Sequence, residues 1–223
     1  MSAPDTEAPS TALSWVTGLR EMPLAHGIRL GLFALATAAI LALVDDLTER
    51  AIEMRMAEDL NASLAQVIPA ERHDNDLAKG HLRIDDALEG AVTVYRATRD
   101  GAVTGVAFEI ATPGYSGTIR TLVGLAPAGR VLGARVLAHT ETPGLGDKIE
   151  VAKSDWILGF NGLSLGNPRD EGWRVKRDGG KFDQFSGATI TPRSVVGGVH
   201  RALKFFDRHR GTHLSRTQPE TEA

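Results

Sequence analysis

No stretch limits what this chain can fold into more than residues 27–44, where 18 successive positions carry one charge, Arg29. As a helix rising about 1.5 Å per residue this run measures roughly 27 Å, against a bilayer hydrocarbon core of roughly 30 Å. From residue 30 to residue 44 every helical face is apolar. A helix of a water-soluble fold keeps one polar face, so burial in such a fold is the poorer account. His26 and Arg29 lie near one end, where they can reach the headgroups. A cleaved leader is the other account, but the run is long for one and passes into Asp45-Asp46 without a small-residue cleavage pattern. We therefore expect an uncleaved transmembrane helix over residues 24–44. Charge does not orient it, because Arg20 and Arg29 on one side balance Arg50 and Arg55 on the other.

Around this segment the chain divides by pattern. Residues 1–23 are polar, with Pro4 and Pro9, and read as a mobile tail. Residues 45–75 read as a juxtamembrane helix and linker. Leu47, Ile52, Met56, Leu60, Leu64 and Val67 recur at helical spacing up to Pro69, and packing under the following domain is the expected role of this helix. Residues 70–88 are charged and are expected to loop over the surface. From Gly90 the period changes to two. Strands are predicted over residues 92–96, 103–111, 119–125 and 131–139, separated by Asp100-Gly101, by the Gly-rich stretch 113–117 and by Pro127-Ala128-Gly129. Four short strands with tight turns argue an antiparallel meander. Residues 149–160 are predicted helical and 173–176 a short strand, with Trp156 and Trp173 in the core. A last helix buries Val195, Val196, Val199, Ala202, Leu203 and Phe206, and Gly197-Gly198 is expected to pack closely on the sheet. The fold class is α+β: one N-terminal transmembrane helix, then an extracytoplasmic domain of mostly antiparallel sheet with flanking helices. The domain is expected over residues 76–208, and a disordered tail over 209–223.

Composition narrows the chemistry. Net charge is −3 and the isoelectric point about 6.2, so nothing points to nucleic acid. The chain has no cysteine, which excludes disulfides, thiol catalysis and Cys-ligated iron–sulfur clusters. Its seven histidines show no metal-ligand spacing, so no metal site is expected.

The densest local signal is Asp183-Gln184-Phe185-Ser186-Gly187-Ala188-Thr189-Ile190-Thr191-Pro192. Gly187 and Ala188 leave room for a ligand against the backbone, while Thr191 and Pro192 read as N-cap and first helical residue. A helix N-terminus attracts phosphate through free N–H groups and its dipole, so Ser186, Thr189 and Thr191 are expected beside a phosphate. Nothing adjacent would activate the Thr189 hydroxyl as a nucleophile, and Phe185-Ser186-Gly187 lacks the hydrolase nucleophile elbow, so no catalytic residue is assigned. The same residues also suit an ordinary loop before a helix.

Asp183-x-x-Ser186-Gly187-Ala188-Thr189 resembles the flavinylation motif of FMN-binding domains. A second stretch, His139-Thr140-Glu141-Thr142-Pro143-Gly144-Leu145-Gly146-Asp147-Lys148-Ile149, resembles the flavin loop of the same proteins. The two in this order behind one membrane helix are similar to the RnfG family, the G subunits of the Rnf ion-translocating electron transport complex, over roughly residues 24–208. The resemblance implies covalently attached FMN, joined through its phosphate to Thr189 by a separate flavin transferase. Ser186, Gly187, Ala188 and Thr191 would lie beside it. Glu141, Thr142, Pro143, Gly144, Leu145 and Gly146 would hold the ring, Glu141 and His139 serving as orienting groups, and Tyr115 could stack on it. Pro143 stiffens that loop and its glycines admit a flat ring.

The implied function is electron relay within a membrane complex that moves electrons between ferredoxin and NAD and couples this to ion transport, with no turnover by this chain alone. The implied partners are the other members of the Rnf complex, the transferase and the membrane. The implied location is the inner membrane, single-pass, with the domain on the periplasmic side. Two other readings stand. One is the C subunit of the Na+-translocating NADH:quinone oxidoreductase, whose chain is usually longer and from which the Gly146-Asp147-Lys148-Ile149 ending departs. The other is a flavin-free, membrane-tethered assembly domain.

Overall fold

The computed structural model describes residues 23–211. The expected tails, over 1–23 and 209–223, fall almost entirely outside the described residues. The chain divides into two units, with the boundary between Arg55 and Met56.

Helix α1 runs without a break over Pro23–Val67, so the expected membrane helix and juxtamembrane helix are one element. No proline or glycine interrupts it after Gly31, and nothing in residues 45–60 supplies a stop. Its stretch His26–Asp45 is long and apolar enough to cross a membrane, and every side chain in it is exposed. Leu47, Ile52 and Met56 lie outside the described side chains. Ile68 ends the helix by donating its N–H to Leu64 O, and Pro69 follows in an extended conformation.

The second unit is built on five strands: β1 (His81–Asp86), β2 (Gly90–Arg99), β3 (Ala102–Pro113), β4 (Thr118–Leu125) and β5 (Val131–Ala138). They form one antiparallel sheet in chain order. The four expected strands are present, and the β2–β3 turn uses Asp100 and Gly101 at φ +52° and +76°, the left-handed pair that a tight hairpin requires. β1 was expected to be loop. Its alternation of Leu82 and Ile84 with His81, Arg83 and Asp85 is short and dominated by charge, and the strand exists because β2 offers it an edge.

Helix α2 (Ile190–His209) covers one face of the sheet. Val94, Phe108, Ile110, Ile119, Val123 and Ala134 meet Val195, Val199, Ala202, Leu203 and Phe205 there, and the rings of Phe108 and Phe205 lie 4.8 Å apart. All six residues expected to face the core do so. The opposite face carries Ala107 and Leu122 under Leu64, Val67 and Ile68 at the end of α1. Two cross-strand glycines, Gly124 and Gly133, make this second contact possible. A Cβ on Gly124 would lie 2.4 Å from Val67 O, and one on Gly133 2.9 Å from Val67 Cα.

Three further expectations are corrected. Residues 149–160 are not one helix: short 3₁₀ turns span Asp147–Ile149 and Asp155–Phe160, because extended Ser154 accepts the Trp156 N–H and restarts the chain. Residues 173–176 do not form a strand. Val175 and Trp173 are buried, but their segment bonds locally, with Lys176 N–H on Phe182 O and Phe182 N–H on Arg174 O, within a tight loop closed by Gly179 and Gly180. Trp156 is half-buried rather than in the core.

Asp86 fastens the end of β1 to the end of α2. Its side chain, 4% exposed, accepts hydrogen bonds from Arg208, His209 and the N–H groups of Leu88 and Glu89. Burial pushes the carboxyl up, but the bonds from His209, Glu89, Leu88 and Arg208 together outweigh it and hold the group far below the carboxylate range. A depressed folded pKa gives stability that is present above the unfolded value of about 3.9 and lost as pH falls toward the folded one. Asp86→Asn should therefore cost about 2 kcal/mol at neutral pH. The gap to wild type should narrow once pH falls below about 4. Denaturant titrations across pH check this; a gap independent of pH would refute the linkage.

The glycine pair in α2 is not uniform. A Cβ at Gly198 would meet Thr112 Cγ2 at 2.8 Å, whereas one at Gly197 meets nothing within 4 Å. Close packing therefore explains Gly198 and not Gly197. Gly197→Ala should stabilise by up to about 1 kcal/mol. Gly198→Ala should destabilise by about 1 kcal/mol, overpacking outweighing helix propensity. Thermal unfolding of both variants measures the two signs.

Candidate functional site

Three segments converge at the end of the sheet beside the start of α2. The first is the β3–β4 turn, closed by Gly114 N–H on Gly117 O at 2.7 Å. The second is the loop after β5. Within it Thr142-Pro143-Gly144-Leu145 is a tight turn in which Leu145 N–H reaches Thr142 O at 3.1 Å. Pro143 presets its own φ and Gly144 stands at +78°, the pattern of a type II turn. The third is Phe185-Ser186-Gly187-Ala188, with Ala188 N–H on Phe185 O at 3.2 Å and Gly187 at φ +80°. The second and third are thus turns of one kind set face to face, and a Cβ on Gly187 would lie 3.4 Å from Leu145 Cδ2.

The third segment is anchored from below. Phe182 and Phe185 are buried, and Trp156 packs edge-on against Phe185 at 5.2 Å. The indole N–H of Trp156 donates to Asp183 O at 2.8 Å, while the exposed Asp183 carboxylate pairs with Lys176 at 2.6 Å. Ser186 and Gly187 stay exposed at the tip.

Between the segments lies a cleft of about 410 Å³, lined by Tyr115, Glu141, Thr142, Leu145, Gly146 and the run from Gly187 to Thr191. Nine of the twelve residues singled out in the sequence line it; Pro143, Gly144 and Ser186 do not. Gly144 is glycine for its positive φ, with open space where a Cβ would stand, so it is not a point of close approach. Gly146 has that role: its Cβ would lie 2.9 Å from Glu141 Cβ and 3.0 Å from Thr191 Oγ1. Ile190 was missed. It is 46% exposed at the first helical position, and an apolar side chain left in solvent between two threonines is the signal that marks it.

Thr191 does not cap the helix. Thr189 occupies the N-cap position in helical conformation, without a side-chain capping bond, and its carbonyl accepts Arg193 N–H at 3.3 Å. The Thr191 hydroxyl is spent elsewhere, donating to Glu141 Oε2. Helix geometry leaves the N–H groups of Ile190 and Thr191 without an intrahelical partner, and Pro192 has none to place. The cleft therefore has two donors and the positive end of a helix dipole at one wall, and exposed Tyr115, Leu145 and Ile190 at its mouth. Such a wall suits an anionic phosphate and such a mouth a flat apolar ring. Its volume falls within the range of about 300–1,000 Å³ typical of small-molecule sites.

Glu141 is buried in the cleft wall. Its Oε1 accepts the N–H groups of Tyr115 and Ser116 at 2.9 and 3.0 Å, and its own N–H donates to His139 Nδ1 at 3.1 Å. With Nδ1 accepting, the His139 proton sits on Nε2, facing Glu150 Oε1 at 2.8 Å. Both residues orient loops, and the Glu141 oxygens are already occupied by protein donors.

Comparison with known proteins adds to this geometry. Residues 114–204 match the FMN-binding domain, and residues 24–67 the RnfG N-terminal region. A protein of Cereibacter sphaeroides, named as the G subunit of the ion-translocating oxidoreductase complex, is 58% identical over 214 residues, 95% of this chain and 96% of that one. Proteins of the same name are 44% identical in Shewanella piezotolerans, covering 88% of this chain and 95% of theirs, and 45% identical in Pseudomonas aeruginosa, covering 86% and 92%. A crystal structure of the C subunit of the Na(+)-translocating NADH-quinone reductase from Parabacteroides distasonis aligns with a TM-score of 0.45 at 22% identity, over 62% of this chain and 69% of that one.

Proposed function

The chain belongs to the RnfG family, the G subunits of ion-translocating oxidoreductase complexes, and from that premise we infer that it is the electron-transfer member of such a complex, with FMN as its carrier. Between the two related families that the sequence resembles, near-full-length identity of 58% to a G subunit decides.

We propose further that the FMN is covalently attached, its phosphate esterified to the Thr189 hydroxyl. The observation that carries this is the placement of Thr189. It is half-buried in the cleft wall at the N-cap of α2, beside exposed Ser186 and Gly187 on a turn that an external transferase can reach. FMN, when bound, supplies one-electron relay. The residues do the rest. The N–H groups of Ile190 and Thr191 face the anionic phosphate. Leu145, Tyr115 and Ile190 offer apolar surface to the ring. Nothing lining the cleft is poised to activate Thr189, which supports a separate flavin transferase as a partner.

In this reading residues 24–44 anchor the chain in the inner membrane as a single pass, 45–75 join the anchor to the flavin domain, and 76–208 form that domain on the periplasmic side. The other members of the complex are its partners, and the chain alone turns over no substrate; ferredoxin/NAD electron transport and ion translocation belong to the assembly.

Intact-mass measurement of chain made in its own host should show one FMN less one water, on Thr189. Thr189→Ala should lose that mass yet unfold within a few degrees of wild type, because a half-exposed hydroxyl contributes little to the core. Flavin still bound covalently in the alanine variant would sink the attachment site.

For orientation, alkaline phosphatase fused after Arg208 should be active and a green fluorescent protein fusion at the same place dark. The reverse pattern would put the domain in the cytoplasm.

A further inference from the structure

We propose that Glu141 is a positioning residue for the flavin ring, a single buried carboxylate that ties together all three walls of the cleft; this rests on the cleft being the flavin seat. The carboxylate is 4% exposed. One oxygen takes two N–H groups of the β3–β4 turn, from Tyr115 and Ser116, and the other takes the hydroxyl of Thr191 in the first turn of α2. The residue itself belongs to the loop after β5, where its N–H is fixed by His139.

The surroundings are shaped to this carboxylate. A Cβ at Gly114 would fall 2.4 Å from Glu141 Oε1, and one at Gly146 would strike Glu141 Cβ. Two glycines in two different segments thus leave room for one side chain. A carboxylate that only held the fold would be expected to tie core elements together. This one ties residues that line the cleft: Tyr115 at the mouth and Thr191 two residues past the attachment hydroxyl. Each of the carboxylate's bonds crosses 25 to 50 residues of sequence, so it adds ties between the segments beyond the sheet ladder and the Ser194 hydroxyl on Pro113 O. Three hydrogen bonds on one buried side chain leave it little freedom to move.

The test uses the full chain made with its transferase and purified in detergent, as wild type, Glu141→Ala, Glu141→Gln and Thr191→Val. Intact mass reports attachment, circular dichroism reports folding, and flavin fluorescence polarisation with iodide quenching reports how firmly the ring is seated. Glu141→Ala should remain folded and flavinylated, with several-fold stronger quenching and reduced polarisation. Thr191→Val, which removes one bond of three, should move both readouts the same way by less. Glu141→Gln keeps an acceptor for Tyr115 and Ser116 and should stay near wild type. Wild-type quenching and polarisation in folded, flavinylated Glu141→Ala would overturn the proposal. If the alanine variant does not fold, unchanged readouts in Thr191→Val overturn it instead. Loss of the flavin mass from folded Glu141→Ala would also overturn it, by assigning the residue to attachment. Absence of flavin from wild-type Thr189 would strike the attachment reading itself, and this proposal with it.

Discussion

Helix α2 lies on the sheet so closely that a methyl group at Gly198 would come within 2.8 Å of Thr112. That contact sets where the start of the helix meets the end of the sheet, beside the cleft. Thr112 is near the end of β3, just before the turn that carries Tyr115, and Gly198 lies two turns into α2, after the residues that wall the cleft. Packing a rigid rod against a rigid ladder at this point brings the N-terminus of the rod to the end of the ladder, where the turns are. The buried stripe Val195, Val199, Ala202, Leu203 and Phe206 secures the rest of the helix, and the Asp86 knot fastens its far end. A site on loops is thus held by tightly packed helix and sheet, which suits a carrier whose ring must stay at a fixed distance from its partners.

The cleft shows a division between groups that hold and groups that are offered. Glu141, Phe182, Phe185 and Trp156 are buried or packed and fix backbone. Ser186, Gly187, Leu145 and Tyr115 are left in solvent by those anchors. Large apolar side chains in water are a cost that most domains avoid in clusters, and three of those exposed in the second unit, Tyr115, Leu145 and Ile190, surround this cleft.

Periodicity made the interior legible. The strands could be read because Val94, Phe108, Ile110, Ile119 and Val123 recur on the face that meets α2, even where the end of α1 buries the other face of β3 and β4, and α2 shows its 3.6-residue stripe because the other half of it is wet. Strand β1 escaped because charge hides two apolar residues, Leu82 and Ile84, at an edge where only one partner strand is needed. Residues 173–176 misled for the opposite reason: Trp173 and Val175 are apolar and buried, but their backbone pairs locally with Phe182 in an isolated bridge rather than with the sheet. The cleft's two loops could be found because glycines at positive φ are readable signals. Thr191 was misjudged because a hydroxyl before a proline looks like a cap until a carboxylate 50 residues away is known to claim it. Tertiary partners of that kind leave no local trace.

Where α1 ends on the sheet, Gly124 and Gly133 remove the side-chain layer and let Val67 rest on backbone. A contact made through side chains can absorb a shift by changing rotamers; one made by backbone on backbone cannot. The chain just before Val67 therefore has a fixed phase. A one-residue insertion between Leu60 and Leu64 would turn Leu60 by about 100° about the helix axis and lift it off the sheet. Over this stretch, length can change among relatives only in steps of about a helical turn, three or four residues, while the loops elsewhere in the domain are free of any such quantum.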